Sequence, residues 1–356
     1  MSETDSIIFN TAQRIFEDLS TAEVINAAED GQWPDELWQA IEEAGLALTW
    51  IPEVNGGVGA SLMDGFAVIK AAGAAALPVP LAESLLAGWL LAKAGLEVGT
   101  DPMTIVLPEQ AGDLVWNGER LSGTVSAVPH ARSVRRLVVV VNGEGGQVLV
   151  VDPAQTRIES KRNLAGEPWD TVTFDGVEPL EQARLPADTD LDRARAAAAL
   201  MRCVQAAGAL GTALELTIQY AMERVQFGRP IAKFQALQHS VAAFAGEVAA
   251  INAAADAAAE AMARNNAVDG EAWIEIAAAK TRLEEAVNEG AAVAHQVHGA
   301  MGFTYEHRLH HLTRRLWAWR DEYGSDVYWS RILGQEVLNW GADQLWPRIT
   351  AVSDPR

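Results

Sequence analysis

Between two long alanine-rich runs of helical periodicity lies an interruption, Arg224-Val-Gln-Phe-Gly-Arg-Pro-Ile-Ala-Lys-Phe-Gln-Ala-Leu-Gln238. Upstream, Leu210, Leu214, Ile218 and Met222 recur every four residues, and downstream Leu237, Val241, Phe244, Val248 and Ile251 show a 4-3-4-3 spacing. Ile276, Leu283 and Val287 mark a third helix. Alanine fills the positions between, which permits the close antiparallel contacts of a four-helix bundle. A core helix has no reason to break at Gly228-Arg229-Pro230, and a solvated loop has no need of Phe227 and Phe234. A basic turn edged with aromatic rings suits a flat-ringed anion such as a dinucleotide, with guanidinium on phosphate and phenyl on ring. The alternative is an ordinary helix corner.

The chain has 356 residues, enough for two or three domains and a large core. With 49% apolar and 21% charged residues it has a globular composition. Its net charge of -21 argues against nucleic acid or an anionic membrane as partner, since both reward a basic face. Arginines concentrated at one place still allow a polyanionic ligand such as a CoA ester. Cys203 is the only cysteine, so no internal disulfide and no cysteine-based zinc site forms. The start, Met-Ser-Glu-Thr-Asp-Ser, has neither the basic nor the apolar region of a secretory signal. The most apolar stretch, about Leu85 to Leu96, is too short to span a bilayer. These features together point to a cytoplasmic protein.

Three regions succeed one another: a helical domain over 1–100, a β domain over 101–188 and a helical bundle over 189–356. In the first, Leu37, Ile41 and Leu46 lie at helical spacing behind Trp33-Pro34, with Asp35 and Glu36 at the positive helix end. Trp50-Ile-Pro-Glu-Val-Asn-Gly-Gly-Val-Gly59 is a glycine-rich loop, read as a turn between helices because it lacks the flanks of a phosphate loop. In the second, Leu137–Val141, Val148–Val151 and Val172–Phe174 are β-branched runs separated by Asn142-Gly143, Gly145-Gly146 and Asp175-Gly176. The first two predict a hairpin, and the set predicts a small β-barrel or sandwich. The fold class is therefore α+β, with a middle β-barrel or sandwich between an N-terminal helical domain and a C-terminal four-helix bundle.

Four stretches carry a resemblance to the acyl-CoA dehydrogenase family, whose order of domains is the same. Gly45 to Gly59 looks like its N-terminal loop, and Ala206-Ala207-Gly208 to Gly228 like the helix ending at an FAD-contacting arginine. Phe234-Gln235-Ala-Leu-Gln-His239 continues that signature, and Gln296-Val-His-Gly-Ala-Met-Gly-Phe-Thr-Tyr-Glu306 resembles the family's Gln-x-x-Gly-Gly-x-Gly-Phe segment. In the family these segments reach the FAD of a neighbouring subunit. The resemblance thus implies FAD as cofactor, with Arg224, Gln226, Phe227, Phe234, Gln235 and Gln296 as binding residues. Gly299 and Gly302 would let the backbone approach it closely. It further implies α,β-dehydrogenation of an acyl-CoA thioester, with a carboxylate removing the α-proton and an electron-transfer flavoprotein accepting the electrons.

The departures matter as much. The family's base position, counted from Gly302-Phe303, falls on Tyr323, whose type has a pKa near 10. An alternative position falls at about Ala198. Glu322 is the neighbouring carboxylate and the one candidate base, although a one-residue step on a helix turns a side chain by about 100°. A solvated or Arg320-paired carboxylate is its simpler role. The flavin-walling loop and strand of the family correspond here to Leu107-Pro-Glu-Gln-Ala-Gly-Asp-Leu114 and Leu121-Ser-Gly-Thr-Val-Ser-Ala-Val-Pro129, from which most donors and the indole are gone; Thr124 is a remnant. The chain is similar to the smaller subunit of heterotetrameric steroid-side-chain acyl-CoA dehydrogenases, which implies that it completes the FAD site of an unlike partner. A self-sufficient homotetrameric dehydrogenase and a non-catalytic scaffold or acyl-CoA binding protein are the alternatives. His307, His310 and His311 with Arg308, Arg314, Arg315 and Arg320 form the one basic concentration. It reads as an interface or phosphate edge, or as a helix face paired with acids. His307 and His311, at i,i+4, have no third ligand nearby for a metal. Trp317, Trp319, Trp329, Trp340 and Trp346 read as core or interface aromatics.

Overall fold

The computed structural model describes residues 3–108, 113–142 and 146–351. The first part is helical: α1 (Glu3–Leu19), α2 (Ala22–Glu29), α3 (Asp35–Glu43), α4 (Leu62–Ala74) and α5 (Leu81–Lys93). α3 stops before the expected Leu46, because Gly45 turns left-handed at φ 66° and Leu46 enters a short 3-10 turn instead. The glycine-rich loop is a turn leading into α4, whose first turn is closed by a Ser61–Asp64 capping box.

The middle part comprises β1 (Met103–Val106), β2 (Val115–Trp116), β3 (Leu121–Pro129), β4 (Arg136–Val141), β5 (Gln147–Val151), β6 (Arg157–Glu159), β7 (Trp169–Val177) and β8 (Glu181–Arg184). Among the described residues they form two four-stranded sheets, ordered β1-β4-β5-β8 and β2-β3-β7-β6. β4 and β5 are the expected antiparallel hairpin, in register Leu137↔Val151 to Val141↔Gln147; the tip, residues 143–145, lies outside the described residues. The uninterrupted valine run of β4 has a plain cause. Val138 and Val140 enter the large helical core, while Leu137, Val139 and Val141 enter a second core between the sheets. A sheet buried on both faces needs apolar residues at every position.

α6 (Leu191–Glu223), the short pair β9 (Val225–Gln226) and β10 (Arg229–Pro230), α7 (Gln235–Asn265), α8 (Gly270–His298), α9 (Leu309–Asp321), α10 (Asp326–Trp340) and α11 (Ala342–Ala351) complete the chain. α6 is the central rod, capped by Asp190, which accepts from Arg193 N at 2.9 Å. Backbone touches backbone between α4 and α6: a Cβ on Gly73 would lie 2.0 Å from the Gln205 carbonyl, and one on Gly208 2.1 Å from that of Lys70.

Two described helices, α6 and α7, are long and apolar enough to cross a membrane, contrary to the expectation drawn from Leu85 to Leu96 alone. They differ in packing: 83% of the apolar window of α6 is buried inside this chain and only 22% of that of α7. The expected Leu210-Leu214-Ile218-Met222 stripe also leaves the core. Leu210 is buried, but Ile218 is 39% and Met222 62% exposed, and Ala213, Thr217 and Ala221 take the inner face instead.

Candidate functional site

Helix α6 ends where Arg224 N makes a last bond to the Tyr220 carbonyl at 2.9 Å. β9 and β10 then pair Gln226 with Arg229 across a two-residue turn, Phe227 (φ 53°) and Gly228 (φ 79°). Both residues are left-handed, as a tight hairpin requires. For phenylalanine that conformation costs roughly 1–2 kcal/mol, and its result is a ring 91% exposed. The Arg229 guanidinium lies 4.3 Å from the Phe234 ring centre, and Phe227 meets Phe234 edge-on at 6.2 Å. With its amide oxygen turned to the guanidinium, Gln226 accepts from Arg224 at 2.8 and 3.3 Å.

The second motif segment reaches the same end of the bundle. Tyr220 stacks on His298 at 4.6 Å and 27°, which joins the foot of the hairpin to the last turn of α8. Gln296 stands exposed on that turn, Gly299 comes next after the helix at φ 59°, and Gln235, at the start of α7, is exposed as well. Gly302 alone of the expected set is buried, and a Cβ there would sit 3.0 Å from Leu309. Beside this surface lie the uncovered Met222 and Val225, the latter 55% exposed.

Glu322 occupies a different setting. It is buried and accepts from Arg202 Nε at 2.7 Å and Asn163 Nδ2 at 3.0 Å. Arg202 in turn reaches Glu83 and Gln205, both at 2.6 Å, and its guanidinium lies 5.6 Å from the Tyr323 ring centre. The expected pairing of Glu322 with Arg320, or its solvation, is therefore corrected: Arg320 bonds Glu284 and Asp321, both at 3.1 Å. The reason is local. Glu322 is the residue after α9, in extended conformation (ψ 142°), so its side chain leaves the helix spiral and turns inward. Burial pushes its carboxyl up to about 6, against the pull of Arg202 and with the like charge of Glu167 adding to it. Arg202 holds its proton more firmly than usual: burial works against its charge, but Glu83 and Glu322 outweigh it. Two carboxylates on one guanidinium favour the arginine's charge, whereas burial outweighs the single arginine at Glu322.

Glu322, Tyr323, Trp169, Ser126, Ala127, Leu107 and Tyr328 are among the residues lining a cavity of about 580 Å³ between the β domain and the helices. Burial holds the Tyr323 phenol far above its ordinary range, so it is no base near neutrality. Ala198, the other position at which the family pattern implies a base, is a core residue of α6. Thr124 shares its hydroxyl with Thr173 at 3.1 Å across the strands. Residues 109–112 of the loop corresponding to the flavin wall lie outside the described residues.

The basic concentration is largely turned inward. Arg315 pairs with Glu167 at 3.0 Å and Arg314 with Glu29 at 2.9 Å, and His310 and His311 are buried. His307 precedes α9, so it and His311 do not share a helix face as expected. Trp319 and Trp329 are core residues, whereas Trp346 is 71% exposed. Sequence reasoning missed Arg202, Glu83 and Asn163. Arg202 did leave a signal, a lone charge at the centre of an alanine-rich helical run.

Two family models match, those of the acyl-CoA dehydrogenase C-terminal domain over residues 189–337 and N-terminal domain over residues 2–100. Among curated relatives, acyl-CoA dehydrogenase IpdE2 of Mycobacterium tuberculosis is 31% identical over 290 residues, 80% of each chain. Acyl-CoA dehydrogenase IpdE2 of Mycolicibacterium smegmatis is 27% identical over 322 residues, 87% of this chain and 91% of the relative. Among solved structures, the ChsE4-ChsE5 complex of Mycobacterium tuberculosis superposes with a TM-score of 0.86 at 22% identity, covering 96% of this chain and 99% of that one. A variant of the steroid ACAD Tcur3481-Tcur3483 gives 0.83 at 25% identity, covering 95% and 98%.

Proposed function

The chain belongs to the acyl-CoA dehydrogenase family, oxidoreductases acting on CH–CH bonds, and from that premise we propose that it completes the FAD site of an unlike partner subunit. The observation that carries this reading is the placement of the motif residues. Arg224, Gln226, Phe227, Gln235 and Gln296 stand exposed at one end of the bundle, beside apolar surface that this chain leaves bare. Arg224 and Arg229 offer planar cations to a pyrophosphate, the exposed Phe227 offers a ring face beside the Arg229–Phe234 pair, and the open backbone at Gly299 admits a close approach. This donor set suits the nucleotide end of FAD. The cavity beside Glu322 suits its ring less well, because Asn163 is bonded to Glu322 and Glu167, and the Glu322 carboxylate is held by Arg202.

FAD, when bound, would supply hydride acceptance in the α,β-dehydrogenation of an acyl-CoA thioester, with an electron-transfer flavoprotein as the onward acceptor. In this reading the present chain orients the nucleotide end and screens it from water, while the partner provides the ring wall and the base. The relative at 25% identity is named for two chains, Tcur3481-Tcur3483, and is a steroid ACAD; a steroid-derived acyl group and a heterotetramer are the corresponding expectations here. The test is Arg224→Ala in the complex of this chain with an unlike acyl-CoA dehydrogenase subunit that co-purifies with it. Losing a charged hydrogen-bonding partner should weaken FAD retention by about tenfold or more while the subunits still assemble. Unchanged flavin content in the assembled variant would refute the proposal.

A second reading, a self-sufficient dehydrogenase with Glu322 as base, has one observation in its favour: a carboxyl held near pKa 6 at the edge of a cavity. It requires Glu322→Gln in this chain to abolish turnover, whereas the first reading leaves the partner's base in charge.

A further inference from the structure

Lys280, on α8, is completely buried, and its ammonium reaches only backbone. Its Nζ donates to the carbonyls of Trp319 (3.2 Å), Arg320 (2.8 Å) and Glu322 (2.9 Å), at the C-terminal end of α9. An ammonium has three donors and no acceptor, so the three carbonyls match its full capacity. Burying such a charge is costly, and the negative end of a helix is among the few backbone features that offset it.

Immediately after those carbonyls the chain reverses through Tyr323 (φ 57°) and Gly324 (φ 107°), two consecutive left-handed residues. A Cβ on Gly324 would lie 2.6 Å from the Tyr328 ring. From the opposite side, the Trp329 indole donates to the Tyr323 carbonyl at 3.1 Å. The reversal turns Glu322 inward to Arg202 and sets Tyr323 in the wall of the 580 Å³ cavity. Without donors beneath them the three carbonyls would be buried acceptors with nothing to bond, and the left-handed pair would lose one of its two supports.

We infer that Lys280 is a positioning residue, whose ammonium fixes the turn after α9 and thereby places Glu322 and Tyr323 at the cavity. This holds whether the cavity serves a ligand of this chain or of a partner, so it stands apart from the shared-FAD proposal. The groups around Lys280 are Cys203 and Arg202 on α6 and Asp321 and Glu322 at the end of α9. The Cys203 thiol, pushed up to about 12 by burial, stays neutral. Burial lowers Lys280 itself to about 8. Above that pH an amine with two hydrogens faces three carbonyls, and one bond must be given up.

The test is amide hydrogen exchange of the full chain, monitored in peptides covering residues 319–329 and, as a control, α7. In the wild type, after correction for intrinsic rates, protection of 319–329 should fall as pH passes about 8, with no matching change in α7. Lys280→Met should raise exchange of the turn roughly tenfold even below that pH, and Lys280→Arg, which keeps its charge, should hold protection above it. A folded Lys280→Met variant with unchanged exchange of the turn would overturn the inference. If Lys280→Met does not fold, Lys280→Gln, which lacks the charge and one donor, takes its place: faster exchange of 319–329 with α7 unchanged is expected, and unchanged exchange would overturn the inference.

Discussion

The hairpin around Phe227 and the cluster around Glu322 use similar residue types to opposite ends. In the hairpin, arginine, glutamine and phenylalanine face outward, and backbone strain is spent on a ring 91% exposed. Around Glu322, arginine, glutamate and asparagine face inward and satisfy one another through bonds of 2.6 to 3.0 Å. Groups whose bonding is satisfied within the chain hold a fold together, whereas exposed groups beside bare apolar surface are available to something else. That contrast is why the hairpin, and not the carboxylate, is proposed to meet the cofactor.

The largest expected effect comes from breaking the inward cluster. Arg202→Met leaves Glu83 and Glu322 buried without their cation and should cost about 3–5 kcal/mol, measured by denaturant unfolding. Near-wild-type stability would show that the cluster is not a structural unit.

A smaller effect arises from the titration of Glu322. Its folded pKa, about 6, lies above the unfolded value of 4.5. The stability it contributes is therefore fully present below about pH 4.5 and is lost as pH rises through about 6. In Glu322→Gln that slope vanishes, so wild-type stability should fall relative to the variant by about 2 kcal/mol across the window. Melting curves of both proteins at several pH values check this, and parallel curves would contradict it.

The smallest effect belongs to the outward hairpin. Phe227→Gly relieves a left-handed phenylalanine and should leave the lone chain as stable or more stable, by up to about 1 kcal/mol. The same variant should retain less FAD in the assembled complex. Loss of stability in the lone chain would mean that Phe227 serves the fold.

Local pattern made much of this molecule legible in its sequence. The β4–β5 hairpin, the long helices and the break at Arg224 each rest on residues close together in the chain. The Arg202–Glu322 bond was not legible, because its partners are 120 residues apart and the turn after α9 re-aims the carboxylate. Ile218 and Met222 were misread for another reason. Periodicity reports that a helix face is apolar but not which chain covers it, and here the outer end of the stripe is uncovered. Of the motif residues expected from the sequence, Arg224, Gln226, Phe227, Gln235 and Gln296 stand exposed, which their spacing alone did not tell.

Flavin content bears most directly on the central claim. The chain is purified alone and, separately, co-expressed with an unlike acyl-CoA dehydrogenase subunit, and bound FAD is quantified per chain. The account predicts a colourless lone chain without dehydrogenase activity and a yellow, active complex. A lone chain carrying a full complement of FAD and oxidising an acyl-CoA would contradict it.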